Sequence, residues 1–286
     1  MHLMRRKELF FILSSLVILP GLFFLVTSGL KLGIDFTGGA LLEYKFEKPV
    51  SSDQLSSFGQ VTPEGNNTYL IKTKPLDQNQ IQQIDLQIKQ KVGNFEQLSS
   101  ENIGPTISSE LKQKALLALL FSCVMIVLYI TYAFRKVPKP ASSLRFGMAA
   151  IVALIHDVLV VVGIFAILGH FFNVEIDTLF VTALLTIIGF SVHDTIVVFD
   201  RIRENLPKLI SHKFTEVADA SITQTLARSL NTSLTVVFVL LALLLFGGAS
   251  IRWFVAALLI GVISGTYSSI FNATALLAWW EERLGH

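Results

Sequence analysis

Residues 179–199 are LFVTALLTIIGFSVHDTIVVF, an apolar run that carries an aspartate, Asp194, in its second half. A helix of about 20 apolar residues is long enough to cross the hydrocarbon core of a bilayer. An ionised carboxylate in hydrocarbon is costly, so an aspartate that is kept there marks a functional site by default. The run therefore predicts a membrane-spanning helix, with Asp194 as its candidate functional residue.

The whole chain is too apolar for a soluble domain of its length. Of its 286 residues, 52% are hydrophobic and 15% are charged, and the mean hydropathy is +0.61, which indicates an integral membrane protein. The chain has six candidate spans, and an even number of spans places both termini on one side of the membrane. A cleaved signal peptide is the alternative for the first span, but its apolar stretch exceeds the roughly 7–15 residues of a signal core. Six segments qualify as spans, at about 9–28, 115–134, 146–169, 178–199, 229–248 and 253–280.

Lysine and arginine indicate the orientation, because short loops rich in these residues stay in the cytoplasm. The two loops on the other side, 170–177 and 247–252, contain a single such residue, Arg252. We therefore expect both termini to be cytoplasmic. Outside these loops no basic cluster suggests a nucleic-acid partner. The cytoplasmic clusters are Arg5, Arg6 and Lys7; Arg135, Lys136, Lys139 and Arg145; Arg201, Arg203, Lys208 and Lys213; and Arg283.

One long polar insertion, residues 30–114, separates the first two spans and is long enough to fold alone. It contains no His or Cys and its carboxylates are scattered, which favours binding or movement over catalysis. The chain thus divides into 1–29, the cytoplasmic N-terminus with span one; 30–114, a small extracytoplasmic α+β domain; and 115–286, spans two to six with the C-terminus. The predicted elements of the insertion are strands at 42–46, 68–72 and 95–103 and helices at 55–58 and 81–92.

A glycine pair opens this domain in the run Gly33-Ile34-Asp35-Phe36-Thr37-Gly38-Gly39. Adjacent glycines adopt conformations that other residues avoid, which suits a sharp junction or a hinge. A plain turn explains the pair equally well.

Three runs, 33–39, GPTISSEL at 104–111 and 191–205, closely resemble the SecF branch of the SecD/SecF family of protein-export membrane proteins. The resemblance extends from about residue 5 to the C-terminus. It implies half of a transporter of the resistance-nodulation-division type: a membrane all-α bundle of six spans with one small extracytoplasmic α+β domain. SecD is the implied partner that supplies the other six spans.

The resemblance also implies a function in the bacterial cytoplasmic (inner) membrane. Members of the family assist the SecYEG channel and draw unfolded preproteins outward with energy from the proton motive force, and YajC is a further possible partner. The chain agrees in lacking a G-x-x-x-x-G-K-[ST] nucleotide motif. We therefore expect a transport subunit rather than an enzyme, with protons as the coupling ion and neither a cofactor nor a metal.

In the family, an aspartate of the fourth span and an arginine at the start of the fifth belong to the proton path, and they match Asp194 and Arg228. Span four runs inward, so Asp194 lies in its cytoplasmic third and Arg228 starts span five at a similar depth, where the two can meet. Burial disfavours a charged carboxylate and a guanidinium favours it, so small rearrangements could switch Asp194 between holding and releasing a proton. Arginine stays charged, which favours gating by Arg228 over proton transfer. The supporting polar side chains are Ser191, Thr195, Gln224, Asn231 and Thr232.

Several alternatives remain open. Asp194 and Arg228 can form a purely structural salt bridge. Asp157 in span three either joins the same network or is a satisfied structural aspartate. His156 and His193 each precede an aspartate and point about 100° away from it, which favours packing over a relay.

Other functions compete as well. An intramembrane aspartyl protease needs paired aspartates, but its G-x-G-D signature is missing around both Asp157 and Asp194. A proton-driven small-molecule exporter subunit of the same superfamily is the closer rival, and a non-catalytic assembly subunit is the third. Two further patterns concern packing: residues 206–227 form either an amphipathic helix on the cytoplasmic membrane face or a solvated connection, and Gly261 with Gly265 predicts a close helix contact.

Overall fold

The computed structural model describes residues 3–138, 141–209 and 211–284, so the predicted cytoplasmic residue Lys139 lies outside the described part. Two compact units divide the chain, Leu32–Leu117 and the remainder. The elements in chain order are α1 (Lys7–Thr27), α2 (Ile34–Thr37), β1 (Gly39–Phe46), α3 (Ser52–Leu55), β2 (Gln60–Gly65), β3 (Thr68–Thr73), α4 (Gln78–Lys91), β4 (Phe95–Ile103), α5 (Pro105–Ala133), α6 (Ser143–Phe172), α7 (Thr178–Asn205), α8 (Phe214–Phe246), α9 (Arg252–Tyr267), a π-helical segment (Ser268–Ala273) and α10 (Thr274–Arg283).

The predicted six spans are confirmed. Five of them are the single helices α1, α5, α6, α7 and α8, and the sixth runs from α9 through the π-helical segment to α10. Two residues determine where the turn between the third and fourth spans begins and ends. Helix α6 ends where Asn173 adopts the left-handed conformation at φ 57°, and α7 begins where Asp177 Oδ1 accepts a 2.8 Å hydrogen bond from the Phe180 N–H.

The fifth span is longer than its apolar core suggests. Helix α8 begins at Phe214, so residues 214–227 of the predicted amphipathic segment 206–227 are the first part of this helix and not a separate element. No Gly or Pro interrupts 214–246, and the apolar side chains of the first turns are buried against other helices instead of facing the membrane surface. These side chains are Phe214, Val217, Ala218 and Ile222.

Glycines in the last span allow it to approach α7 closely, as Gly261 and Gly265 predicted. A Cβ added to Gly261 would lie 2.3 Å from Ile187 Cδ1, and one added to Gly265 would lie 3.2 Å from Ser191 Cβ. The close contact is therefore confirmed, and the neighbour is a helix of the same chain. It brings the sixth span directly against the helix that carries Asp194.

The smaller unit is a four-stranded antiparallel sheet in the order β2-β3-β1-β4, with α3 and α4 in the connections. This β-α-β-β-α-β order is that of the ferredoxin-like fold. The inward faces of the strands and two helices form its core, and Asp77 caps α4 with Gln80 in a capping box. The fully or almost fully buried core side chains are Leu42, Tyr44, Phe46, Leu55, Phe58, Tyr69, Ile71 and Ile88.

The α+β class of this unit was predicted correctly, but strand β2 was missed. Its sequence, QVTPEG, has a single large apolar residue and a proline, and it forms an edge of the sheet, where both are tolerated. The hairpin with β3 turns at Asn66 and Asn67, which have φ values of 49° and 60°. Asparagine accepts this left-handed geometry readily, so the Asn pair was the available signal.

Candidate functional site

Among the described residues, three aspartates are buried in the helices of the larger unit. One of them, Asp219 on α8, accepts a 3.0 Å hydrogen bond from the Met4 backbone N–H, and the other two lie deeper in the spans. Asp157 on α6 is 0% exposed and Asp194 on α7 is 2% exposed. A buried carboxylate needs hydrogen-bond donors to offset the loss of hydration. In both cases the donors are mainly Ser and Thr hydroxyl groups, so the structure contains two hydroxyl-lined carboxylates.

Asp194 receives two long hydrogen bonds. Ser233 Oγ on α8 donates at 3.3 Å and Thr266 Oγ1 on α9 donates at 3.4 Å, both to Asp194 Oδ2. A charge-assisted O–H···O bond normally measures about 2.5–2.7 Å, whereas the two hydroxyls lie only 2.6 Å from each other. The hydroxyls are thus bonded to one another more tightly than to Asp194, which leaves this carboxylate loosely held.

The predicted contact between Asp194 and Arg228 is not formed. Arg228 is exposed on α8, and among the described residues Asp194 makes no ion pair with it. The helix explains why: Ser233 is the α8 residue that faces Asp194, and five residues at about 100° each place Arg228 about 140° around the helix from it. The alternative of a structural salt bridge between the two fails for the same reason. The role of Arg228 in a proton path stays a prediction.

The predicted supporting residues of span five do not reach Asp194 either. Gln224 Oε1 accepts from Arg201 Nε at 2.6 Å and from Asn205 Nδ2 at 3.0 Å, near the end of α7. Asn231 and Thr232 are exposed, and Thr232 Oγ1 donates to the carbonyl of Arg228 within its own helix.

Asp157 is held far more tightly than Asp194. Ser191 Oγ donates to its Oδ2 at 2.5 Å and Ser268 Oγ at 2.6 Å, while Ser264 Oγ donates to its Oδ1 at 2.8 Å. His156 Nδ1 lies 3.0 Å from the same Oδ1. The donors to Asp157 come from α6, α7, α9 and the π-helical segment. Since the last two elements belong to the sixth span, this one carboxylate connects the third, fourth and sixth spans. Ser191 thus serves Asp157, although its predicted neighbour was Asp194.

The serine-rich part of the sixth span continues this network along α7. Thr195 Oγ1 lies 2.8 Å from Ser269 Oγ, and Ser269 Oγ donates to the Ser191 carbonyl at 3.0 Å. The prediction did not include Ser233, Ser264, Thr266, Ser268 or Ser269. A signal for four of them existed, because the run SGTYSS at 264–269 interrupts an otherwise apolar span.

The expectation that His156 points away from Asp157 is wrong. An angle of about 100° separates the Cα–Cβ bonds of adjacent helical residues, but both side chains extend beyond Cβ and turn back to meet at 3.0 Å. His193, next to Asp194, is exposed instead. The protease alternative loses support here, since Asp157 has both its carboxylate oxygens occupied by protein donors.

The glycine run lies inside the smaller unit. Gly33 precedes α2, which contains Asp35, and Thr37 Oγ1 donates to the Gly33 carbonyl at 2.9 Å. Gly38 and Gly39 have φ values of +73° and +140°, which L-residues rarely adopt. A Cβ on Gly39 would also lie 2.8 Å from the Thr73 carbonyl oxygen. The backbone thus requires glycine at both positions, and the hinge role stays a prediction.

The chain is similar to protein-export membrane proteins over almost its whole length. Residues 83–283 match the family model "Protein export membrane protein SecD/SecF, C-terminal", and residues 23–50 match "SecD/SecF GG Motif". The protein translocase subunit SecF of Thermobaculum terrenum is 47% identical, with 98% of this chain and 94% of the relative covered. The protein of the same name from Anaerolinea thermophila is 41% identical at the same coverage.

A solved structure is similar in fold as well. The crystal structure of SecDF, a translocon-associated membrane protein from Thermus thermophilus, matches with a TM-score of 0.86 and 33% sequence identity. The match covers 98% of this chain and 38% of that chain, so the protein spans well under half the length of the SecDF chain.

Proposed function

We propose, because this chain belongs to the SecD/SecF family of protein-export membrane proteins, that it works as a SecF-type translocase subunit which uses the proton motive force to promote preprotein export. In this proposal SecD is the partner that supplies the remaining spans, since the chain corresponds to only 38% of the SecDF chain. The SecYEG channel, YajC and an unfolded preprotein complete the proposed set of partners. Both relatives named above are protein translocase subunits, which favours export over small-molecule transport.

The observation that carries the proton-driven part is the loose setting of Asp194. A carboxylate that exchanges protons directly with its surroundings, without a relay residue bonded to it, needs hydrogen bonds that break easily. Asp194 meets this need because its two hydrogen bonds, at 3.3 and 3.4 Å, are long and both end on one oxygen. Asp157, with short bonds to three hydroxyls, is the more strongly fixed of the two.

Arg228 acts in this proposal through its fixed charge and not through a bond to Asp194. It lies on the exposed side of α8, the helix that also supplies Ser233 to Asp194. A change in the surroundings of Arg228 would therefore reach the carboxylate through the position of α8. This gives the arginine a gating role that agrees with its permanent charge.

The proposed orientation places both termini in the cytoplasm. Lys7 at the start of α1 forms an ion pair with Glu282 near the end of α10, and Arg145 at the start of α6 forms one with Glu281. The first, third and sixth spans thus share one end of the unit. Arg145 belongs to a basic cluster of the kind that stays cytoplasmic, so this end is the proposed cytoplasmic one.

Energy limits what one proton can do. Moving one charge through 100 mV is worth roughly 2.3 kcal/mol, which is less than the roughly 5–15 kcal/mol that keeps a typical domain folded. We therefore propose that each proton biases an already extended preprotein segment toward the outside. The small α+β domain is the proposed holder of that segment.

The decisive experiment replaces Asp194 by Asn in membranes that contain the partner subunit and the channel. Proton-gradient-dependent preprotein export is measured, and complex assembly is checked by co-purification. Asp200→Asn is the matched control, because Asp200 lies at the end of the same helix and pairs with Arg203. We expect Asp194→Asn to abolish the stimulation with normal assembly, and the control to retain it. Full stimulation by Asp194→Asn would leave a non-catalytic assembly role as the better explanation.

A further inference from the structure

A groove of about 340 Å³ lies between α1, α6 and the π-helical segment. Most of its lining is apolar, as expected beside a membrane. Four polar side chains interrupt that lining, Ser14 and Ser15 from α1, His156 from α6 and Asn272 from the π-helical segment. Ser15 is exposed, whereas Ser14 and Asn272 are 7% exposed each, so these two side chains and His156 mark the buried floor of the groove.

Two polar atoms at this floor have no hydrogen-bond partner among the described residues. They are His156 Nε2 and Asn272 Oδ1, and both are fully buried. The opposite end of the Asn272 amide, Nδ2, donates to Ser14 Oγ at 2.6 Å. Exchanging the two amide atoms would still leave one of them unpaired. Buried polar atoms are almost always paired with protein or with ordered water, so these two atoms call for a partner from outside the described protein groups.

The chemistry of the two atoms identifies that partner. His156 Nδ1 faces the Asp157 carboxylate at 3.0 Å, which makes Nδ1 the donor and leaves Nε2 as an acceptor in the neutral ring. Asn272 Oδ1 is an acceptor as well. Two acceptors at one floor need donor hydrogens, and a lipid acyl chain has none. Water has two, and the volume accommodates roughly ten molecules at about 30 Å³ each.

We propose that water binds at this floor, between His156 Nε2 and Asn272 Oδ1, and that His156 passes protons between this water and Asp157. The inference deepens the proposed proton-driven function and rests on it for the use of the proton. It adds a second point of proton entry, on span three, to the one at Asp194. His156 is in this proposal a relay residue, since its Nε2 faces the groove water and its Nδ1 faces Asp157.

The transfer balances as a two-step relay. A hydronium ion in the groove gives a proton to Nε2, so an O–H bond breaks, an N–H bond forms and the ring becomes a cation. The Nδ1–H bond then breaks as Asp157 Oδ1 gains the proton, which leaves a neutral ring and a neutral carboxyl group. The net result is one proton moved from groove water to Asp157. Reverse transfer restores the starting tautomer.

The surroundings of His156 contain few other titratable groups. From its own helix the facing group is Asp157. From α9 it is Tyr267, whose ring centroid lies 6.4 Å from that of His156 and whose hydroxyl donates to the Phe10 carbonyl at 2.9 Å. The groove residues of α1 and the π-helical segment are serine, asparagine and apolar side chains. Among the described residues, Asp157 is therefore the titratable group in hydrogen-bond contact with His156.

The first test detects the water itself, without any transport assay. The full chain with ¹⁵N-labelled histidine is placed in lipid nanodiscs, and magnetisation transfer from water to the ring nitrogens is measured by solid-state NMR. The chain has 6 histidines, so His156→Gln assigns the His156 signal by its disappearance. We expect a water cross-peak at His156 Nε2, reduced at least fivefold in Asn272→Leu. A folded wild-type protein without this cross-peak would overturn the proposal.

The second test separates this inference from the proposed function. Proton flux is measured in proteoliposomes that hold the complex with SecD, using His156→Gln, Asp194→Asn and the matched control His193→Gln, which changes an exposed histidine beside the other aspartate. We expect His156→Gln to slow flux about tenfold and His193→Gln to leave it unchanged. Normal flux in His156→Gln with lost flux in Asp194→Asn would refute the relay and keep the proposed function. Normal flux in Asp194→Asn would refute the function even if the water is present.

Discussion

Gly21 of α1 and Gly163 of α6 meet backbone to backbone: a Cβ added to Gly21 would lie 2.7 Å from Gly163 Cα, and one added to Gly163 would lie 2.9 Å from Gly21 Cα. Glycine at both positions is what allows α1 to pack against α6. The floor of the water-binding groove also lies between these two helices, so this crossing fixes the wall that carries Ser14.

Gly163→Val is expected to push α1 away from α6, because the added side chain has no space at the crossing. Overpacking of this kind costs about 1–3 kcal/mol or more. The measurement is the midpoint of thermal unfolding in detergent. Gly189→Val is the control, since a Cβ there has nothing within 4 Å. Equal midpoints for the two variants would show that the crossing does not matter for stability.

Asp157→Ala is expected to destabilise the protein far more than Asp194→Ala. The first change removes the acceptor of three short hydroxyl bonds and one imidazole contact, whereas the second removes two long ones. Each buried donor that loses its acceptor costs about 1–3 kcal/mol. Unfolding midpoints of the two variants test the ranking, and the reverse order would contradict the assignment of Asp157 as the tightly held carboxylate.

Arg228→Ala is expected to leave stability unchanged within about 0.5 kcal/mol, as for other exposed positions without partners. The same variant is expected to lose proton-gradient-dependent export if Arg228 gates Asp194. Thermal unfolding and export are measured on the same preparation. A clear drop in unfolding temperature would indicate an ion pair of Arg228 that is not found among the described residues.

Arg145→Met is expected to cost about 3–5 kcal/mol, because it leaves a buried charge without its partner. Arg145 holds Glu281 by hydrogen bonds of 2.6 and 3.0 Å, and Glu281 is 0% exposed. Adding Glu281→Leu to the same chain should recover most of the loss. A double variant as unstable as the single one would mean that Arg145 stabilises the unit through other contacts.

Tyr44 makes the stability of the small α+β unit sensitive to alkaline pH. Burial, together with a 2.6 Å hydrogen bond to Asp85, raises the pKa of the Tyr44 phenol far above its usual value. Because this pKa is higher in the folded protein, the stabilisation that the neutral Tyr44 phenol provides is complete below the unfolded-state pKa of about 10. It is lost as the pH rises above that value. Unfolding of the full chain between pH 9 and about 11 should therefore be steeper in pH for the wild type than for Tyr44→Phe. Parallel curves would contradict this.

Hydropathy and charge were sufficient to predict the six spans and the presence of a buried carboxylate, Asp194, within the fourth. Each follows from a bulk property, the cost of placing polar groups in hydrocarbon, that every residue of a span experiences alike. The position of β2 was not predictable in the same way, because an edge strand with one large apolar residue has no periodic pattern.

The partners of the buried aspartates were harder to predict than their existence. Whether Arg228 or Ser233 faces Asp194 depends on the rotation of α8 about its axis, and that rotation is fixed by packing along the whole helix. Likewise, the contact of His156 with Asp157 depends on side-chain torsions that a helical wheel ignores. Ser264 and Ser268 were visible as polar residues in an apolar span, but their common target, Asp157 on α6, was not.

The π-helical segment makes the last span sensitive to length. Residues before it supply Ser264 to Asp157, and residues after it supply Glu281 to Arg145. Removing one residue between the two would rotate everything downstream by about 100° and shift it by about 1.5 Å. One of the two contacts would then be lost whichever residue is deleted. Single-residue insertions and deletions in this stretch should therefore be rare among relatives of the chain, because they would separate two contacts that point substitutions elsewhere in the span leave in place.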